Sequence, residues 1–373
     1  MTVKTLNTEQ INPGRRRFIK STGAGAAILG VGGLISNAAV EAAQIADSPR
    51  AGLSTRYGQD ILGARLRADS VSADASRLPP PVTRDHAIHH DIEIEAREVE
   101  AKLDSGTTFT FMTWEGQVPG PMIRVRQGDT VALTVKNAKE NSQFHNLDMH
   151  AIYGTGGGSA ATLVMPGQSK TERFKCMYPG AFIYHCAVPT LDEHISRGMF
   201  GMIVVEPHEG MHKVDREFYL GQHEIYTKEP FGTSGKLHFN YEALVKEQPQ
   251  YVVFNGAVNG FTPGRYGPLK AKVGETIRVF MVCGGPNQSS SFHPIGNVWS
   301  RCWPQGALAN APLKYVQTQP VAPGSCMVGD MELPVPETIK LVDHALTRVT
   351  HKGLLAMIEV QGKENPEIYK ANA

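Results

Sequence analysis

The chain has little excess charge of either sign: 37 Lys plus Arg stand against 36 Asp plus Glu in 373 residues. A nearly balanced charge excludes a polyanionic partner such as nucleic acid. Long apolar runs are also missing. The most apolar N-terminal stretch, Gly23 to Leu34, is too short and too rich in glycine for a membrane span, so no membrane association is expected of the mature chain. Cysteine is scarce, with 5 in the whole chain, and no two of the 14 histidines are separated by a single residue. Glycine (38) and proline (24) are plentiful, and apolar and polar residues alternate over much of the sequence. That combination predicts turn-rich antiparallel sheet, an all-β chain long enough for two domains.

The first 44 residues stand apart from the fold. Arg15-Arg16-Arg17-Phe18-Ile19-Lys20, then the Gly/Ala-rich run, then small residues, resemble a twin-arginine export signal. This implies a periplasmic protein exported already folded. Residues 45–81 read as a linker that stiffens at Leu78-Pro79-Pro80-Pro81, and 366–373 as a C-terminal tail.

Between them the sequence repeats itself. Val125 to Leu133, turning at Gly128-Asp129, matches Ala271 to Val279, turning at Gly274-Glu275. Phe144-His145 matches Phe292-His293, and Pro166-Gly167 matches Pro323-Gly324. The strand after Gly198-Met199 matches the one after Gly353-Leu354. Four landmarks in one order predict two copies of one Greek-key sandwich or barrel, over 82–206 and 207–365. Aligned on Tyr184-His185-Cys186, the second copy reads Val342-Asp343-His344, so Cys186 is replaced by a histidine and Met199 by Leu354. One copy keeps a cysteine-centred set of soft ligands and the other has lost it.

That set is His145, Cys186, His194 and Met199, one distant histidine and three ligands within fourteen residues. A thiolate, two imidazoles and a thioether suit copper in an electron-transfer site, whereas zinc prefers a second thiolate or a water. Successive strand residues point to opposite faces, so His185 must face away from Cys186. If the segment from His145 stays extended, His150 joins His185 on that other side, with Asp148 between. His86, His89 and His90 read as a solvated strand entry, and His208, His212, His223, His238 and His351 have no place in the repeat. Cys176, Cys283, Cys302 and Cys326 are either disulfide partners or strand-core residues.

His145-Asn-Leu-Asp148-Met-His150, Tyr184-His185-Cys186-Ala187 and His194-Ile-Ser-Arg-Gly198-Met199 resemble copper-containing nitrite reductases. So do Ser291-Phe292-His293-Pro-Ile295-Gly296 and Leu341-Val342-Asp343-His344, and the likeness runs from about residue 85 to the C-terminus. The resemblance implies two tandem cupredoxin domains per subunit, a homotrimer and two coppers per subunit. It assigns the type 1 copper to His145, Cys186, His194 and Met199. The type 2 copper falls to His150 and His185, with His344 supplied by the adjacent subunit. Asp148 and His293 become the proton-handling pair, and Ile295 the bulky residue over the nitrite pocket. The implied reaction is the one-electron reduction of nitrite to nitric oxide, fed by a small cupredoxin or a c-type cytochrome in denitrification. Met149 and Tyr153 depart from the family pattern. A multicopper oxidase would need several His-x-His pairs, which are absent. An electron carrier without catalysis would leave His150, His185, His293 and His344 unexplained.

Overall fold

The computed structural model describes residues 65–371; the export signal and the first part of the linker lie outside the described residues. Domain one contains β1 (His89–Asp104), β2 (Thr107–Trp114), β3 (Ile123–Arg126), β4 (Thr130–Asn137), β5 (Asp148–Met149), β6 (Ser169–Lys175), β7 (Gly180–His185) and β8 (Phe200–Glu206). Domain two contains β9 (Arg216–Ile225), β10 (Gly235–Lys236), β11 (Tyr251–Phe254), β12 (Leu269–Lys272), β13 (Thr276–Gly285) and β14 (Ser290–Ile295). It continues with β15 (Trp299–Trp303), β16 (Leu313–Val316), β17 (Gln319–Val321), β18 (Ser325–Glu332), β19 (Glu337–Asp343) and β20 (Ala356–Gln361). Three short helices, α1 (Leu191–Ser196), α2 (Tyr241–Val245) and α3 (Thr347–Lys352), fill connections.

The two copies share one topology. In domain one the sheets run β2-β1-β4-β6, with β10 of the second copy added at the β2 edge, and β3-β8-β7-β5; in domain two they run β11-β9-β13-β18-β15-β16 and β12-β20-β19-β14-β17. The parallel pairs β1/β4 and β3/β8 recur as β9/β13 and β12/β20. The repeated turns have one cause. Gly128 and Gly274 sit at φ 92° and 89°, a left-handed conformation that only glycine adopts without strain. All four extra cysteines are buried and free, so the strand-core reading holds for them.

Each domain buries its own apolar core, and a third core joins them. Phe109, Phe111 and Val118 of the first copy pack there with Tyr251, Phe280 and Val328 of the second. The linker expected over 45–81 is different from that expectation at residues 70–75. Val71 lies in the shared core and Ala75 in the core of domain two, and Ser72 bridges to Val118. The small side chains of this stretch let its backbone lie between the sheets, where it exchanges hydrogen bonds with Val118. His90, too, is not solvated: it is buried against Asp129, which also pairs with Arg84. Residues 365–369 form an exposed turn in the C-terminal tail.

Two fully buried arginines brace the seam. Arg124 on β3 bonds Glu206 at 2.5 Å and Glu217 of β9 at 2.5 and 3.1 Å. Arg278 on β13 bonds Asp330 at 2.7 and 2.9 Å and stands 3.6 Å from the same Glu217. Glu217→Ala removes the acid that two buried guanidiniums share, leaving Arg124 to Glu206 and Arg278 to Asp330. A loss of about 3 kcal/mol, read as a lower thermal unfolding midpoint, is expected; an unchanged midpoint would contradict the bracing role.

Candidate copper centres

Four side chains from four stretches of the chain gather inside domain one. Cys186 follows directly on β7, His194 sits on α1, Met199 begins the return into β8, and His145 comes from the connection after β4. His145, Cys186 and Met199 are fully buried and His194 nearly so. The Cys186 Sγ lies 3.7 Å from His145 Nδ1 and 3.5 Å from His194 Nδ1. A single ion with a metal–sulfur bond of about 2.3 Å and a metal–nitrogen bond of about 2.0 Å holds such donors about 3.5 Å apart. The backbone closes the ligand loop, because the Cys186 amide donates to the Met199 carbonyl at 3.1 Å and the Met199 amide to the His194 carbonyl at 3.0 Å.

The electrostatics favour a metal here. Burial, helped by His145 and Arg197, lowers His194 to about 3, so its imidazole is neutral and has a lone pair to give. Burial pushes the Cys186 thiol up to about 11 against the pull of nearby backbone amides. A thiolate in this place needs a cation against it. Two neighbours missing from the sequence reading orient the set. Asn146 Oδ1 accepts from the Ala187 amide at 2.8 Å and lies 3.8 Å from Sγ. His145 Nε2 points at Glu98, 3.6 Å away. Burial opposes ionisation of Glu98, but His145 and the donors of Ser142 and Gln143 hold its carboxyl at about 2. Glu98 stands in no motif, and Asn146, though inside the His145–His150 motif, shows its contact with Cys186 only in the fold.

The second cluster forms around His185, the last residue of β7. His150 Nε2 and His185 Nε2 are 3.3 Å apart, the separation of two imidazoles on one tetrahedral ion at about 2.0 Å. His185 Nδ1 donates to the Cys186 carbonyl at 3.0 Å, which leaves Nε2 as the free donor atom. Burial and His185 lower the pKa of His150, so it too favours the neutral form. Asp148 pairs with His185 across β5 and β7, and its Oδ2 stands 3.9 Å from His185 Nε2. The segment from His145 is not extended throughout, because only Asp148–Met149 are strand. A short cross-strand pairing, not an unbroken alternation, sorts His145 from His150. Met149 is buried in the core and Tyr153 is exposed against Tyr178.

A third group lies in domain two. His293 on β14 and His344 just past β19 pack edge to face with ring centroids 5.3 Å apart. His293 Nδ1 donates to the Gln317 carbonyl at 2.6 Å. Ile295, two residues on along the strand, is 37% exposed. Among the described residues, the donors that converge within 4.8 Å beside β7 are Asp148, His150 and His185; His344 is not one of them. The structure therefore brings together His150, His185 and Asp148 in one place and His293, His344 and Ile295 in another.

Fold and donor sets together define a two-domain cupredoxin with one soft, sulfur-containing metal site and one histidine site. Residues 95–210 match the multicopper oxidase family. The chain is 42% identical over 301 residues to a copper-containing nitrite reductase of Neisseria gonorrhoeae, covering 80% of this chain and 76% of that one. It is 33% identical over 358 residues to the Cereibacter sphaeroides copper-containing nitrite reductase, covering 87% and 94%. The solved copper nitrite reductase of Nitrosomonas europaea superposes with a TM-score of 0.67 at 33% identity, over 75% of this chain and 96% of that one. This chain belongs to the copper-containing nitrite reductase family, and its cofactor is copper.

Cys186→Ala should remove the buried copper and the visible thiolate–copper absorption while leaving the histidine-bound copper. Two coppers per chain in the variant, by metal analysis, would contradict the buried assignment.

Proposed function

We propose that this chain reduces nitrite with one electron and two protons to nitric oxide and water. One observation carries the reading: the adjacent residues His185 and Cys186 belong to two different donor clusters. Copper, when bound, supplies a one-electron relay at the buried cluster and an anion-accepting Lewis acid at the histidine cluster. The His185–Cys186 peptide is the short covalent path between them. Neutral imidazole ligands leave a bound cation's charge uncancelled, which favours an anionic substrate.

The remaining groups handle the substrate and its protons. Asp148, beside His185, is placed to hydrogen-bond a nitrite oxygen and to give it a proton as the N–O bond weakens. His293 keeps Nδ1–H on the Gln317 carbonyl, so Nε2 is the atom that relays the second proton. Ile295, facing the same side, walls the pocket. A purely electron-carrying protein would have no use for an Asp beside a second histidine pair.

His293, His344 and Ile295 serve this reaction only if a second copy brings them to His150 and His185. The separation of the two half-sites in one chain supports a head-to-tail ring, and we propose a homotrimer. Type 1 copper is assigned to His145, Cys186, His194 and Met199, and type 2 to His150, His185 and the His344 of the next subunit. The Arg15-Arg16-Arg17-Phe18 motif supports export to the periplasm by the twin-arginine route. There a small cupredoxin or c-type cytochrome is the proposed donor, in denitrification.

His344→Ala should halve the copper content, keep the visible colour and abolish nitrite turnover. Unchanged copper and unchanged turnover would overturn the His344 assignment. Asp148→Asn should keep both coppers and lower kcat by roughly 10²–10⁴, measured with an artificial reductant; an unaltered kcat would remove Asp148 from the proton path.

A further inference from the structure

A second carboxyl, that of Glu172, lies near Asp148. Glu172 lies on β6, in the opposite sheet from β5 and β7. A turn over Thr155–Gly158 spans the gap, with Gly156, Gly157 and Gly158 all in the left-handed region. A side chain on Gly157 would collide with the Asp148 carboxylate, and one on Gly158 with both oxygens of Glu172. Two consecutive glycines therefore have the carboxyl groups of Asp148 and Glu172 packed directly on their α-carbons. Any larger residue at these positions would drive the acids apart or outward.

Glu172 is poorly solvated for an acid. Its Oε1 is buried and has no hydrogen-bond partner. Asp148 is the charged group that acts on it from β5; the turn offers only glycine backbone, and β4 presents Leu133 opposite. Burial first, and the nearby Asp148 second, push the Glu172 carboxyl up to about 7.

We infer that Glu172 is a specificity-determining residue: ionised, its charge weakens nitrite binding beside Asp148, and protonated, it lets the anion in. The inference rests on nitrite being the substrate. No bond forms or breaks in this step; Glu172 exchanges its proton with solvent. A negative charge held in a half-buried site acts on an incoming anion with little screening. The chain so gains an affinity for nitrite that falls as pH rises, separate from any proton demand of the chemistry.

The test compares copper-loaded wild type with Glu172→Gln and Glu172→Asp. Other pH effects on nitrite binding cancel in the ratio of wild-type to Gln-variant KM. That ratio should rise from about one below pH ~6 to about fivefold above pH ~8, the scale of one unit charge acting across such a site. Glu172→Asp should keep the pH-dependent ratio, shifted along the pH axis. A ratio constant across pH would overturn the inference, because a merely structural role gives a constant offset. A second readout needs no turnover. Infrared difference spectra of copper-free wild type minus Glu172→Gln should show a protonated carboxyl band that disappears through pH ~7; absence of that band at pH ~6 would equally overturn it. Wild-type enzyme that fails to reduce nitrite would instead overturn the proposed function.

Discussion

Everything in the site depends on the alternation of side chains at the end of β7. An extended backbone sends neighbours to opposite faces, so Cys186 enters the core of domain one while His185 faces away from it. The two residues cannot share a metal, and they cannot be far from each other's metal. His145 and His194 converge on Cys186, and Asp148 and His150 converge on His185. Asp148 is directly opposite His185 in the register, so even the acid's place follows from this one strand.

The second domain is the same architecture with different chemistry at the same position. Asp343 is the counterpart of His185 and is fully buried; its carboxylate binds the amides of Ser291 and Ala345 and pairs with Arg348. It fixes the end of β19, so that His344 is displayed outward beside His293. Leu354, where the first copy has Met199, is an ordinary core residue. The second copy has thus given up its own metal cavity to apolar packing and turned one histidine to the surface. The shared core and the Arg124–Glu217–Arg278 seam hold that surface in fixed relation to the first copper loop.

Much of this was legible in the residues because it is written in local pattern. The duplicated Gly turns at Gly128 and Gly274, the close spacing of Cys186, His194 and Met199, and the dipeptide His185-Cys186 all act within a few residues of themselves. What stayed hidden acts across the fold. Glu98 matters only because the chain brings it to His145, and Asn146, next to His145 in sequence, because the fold sets it against Cys186. Glu172 stands in no sequence motif, and only the Gly156–Gly158 turn shows it packed near Asp148. Residues 70–75 read as linker because small side chains carry no periodic signal, although they are buried. The extended segment assumed for His145 to His150 shrinks to two strand residues, since partner strands, not alternation, decide where pairing stops.

The central claim is that two coppers flank one strand and that the second is completed by another copy of the chain. Anomalous diffraction at the copper edge from crystals of the copper-loaded protein tests it most directly. The account predicts two copper peaks per chain. One lies among His145, Cys186, His194 and Met199, and the other between His150 and His185 of one chain and His344 of the next. A single peak per chain, or a second peak with no His344 beside it, would contradict the account.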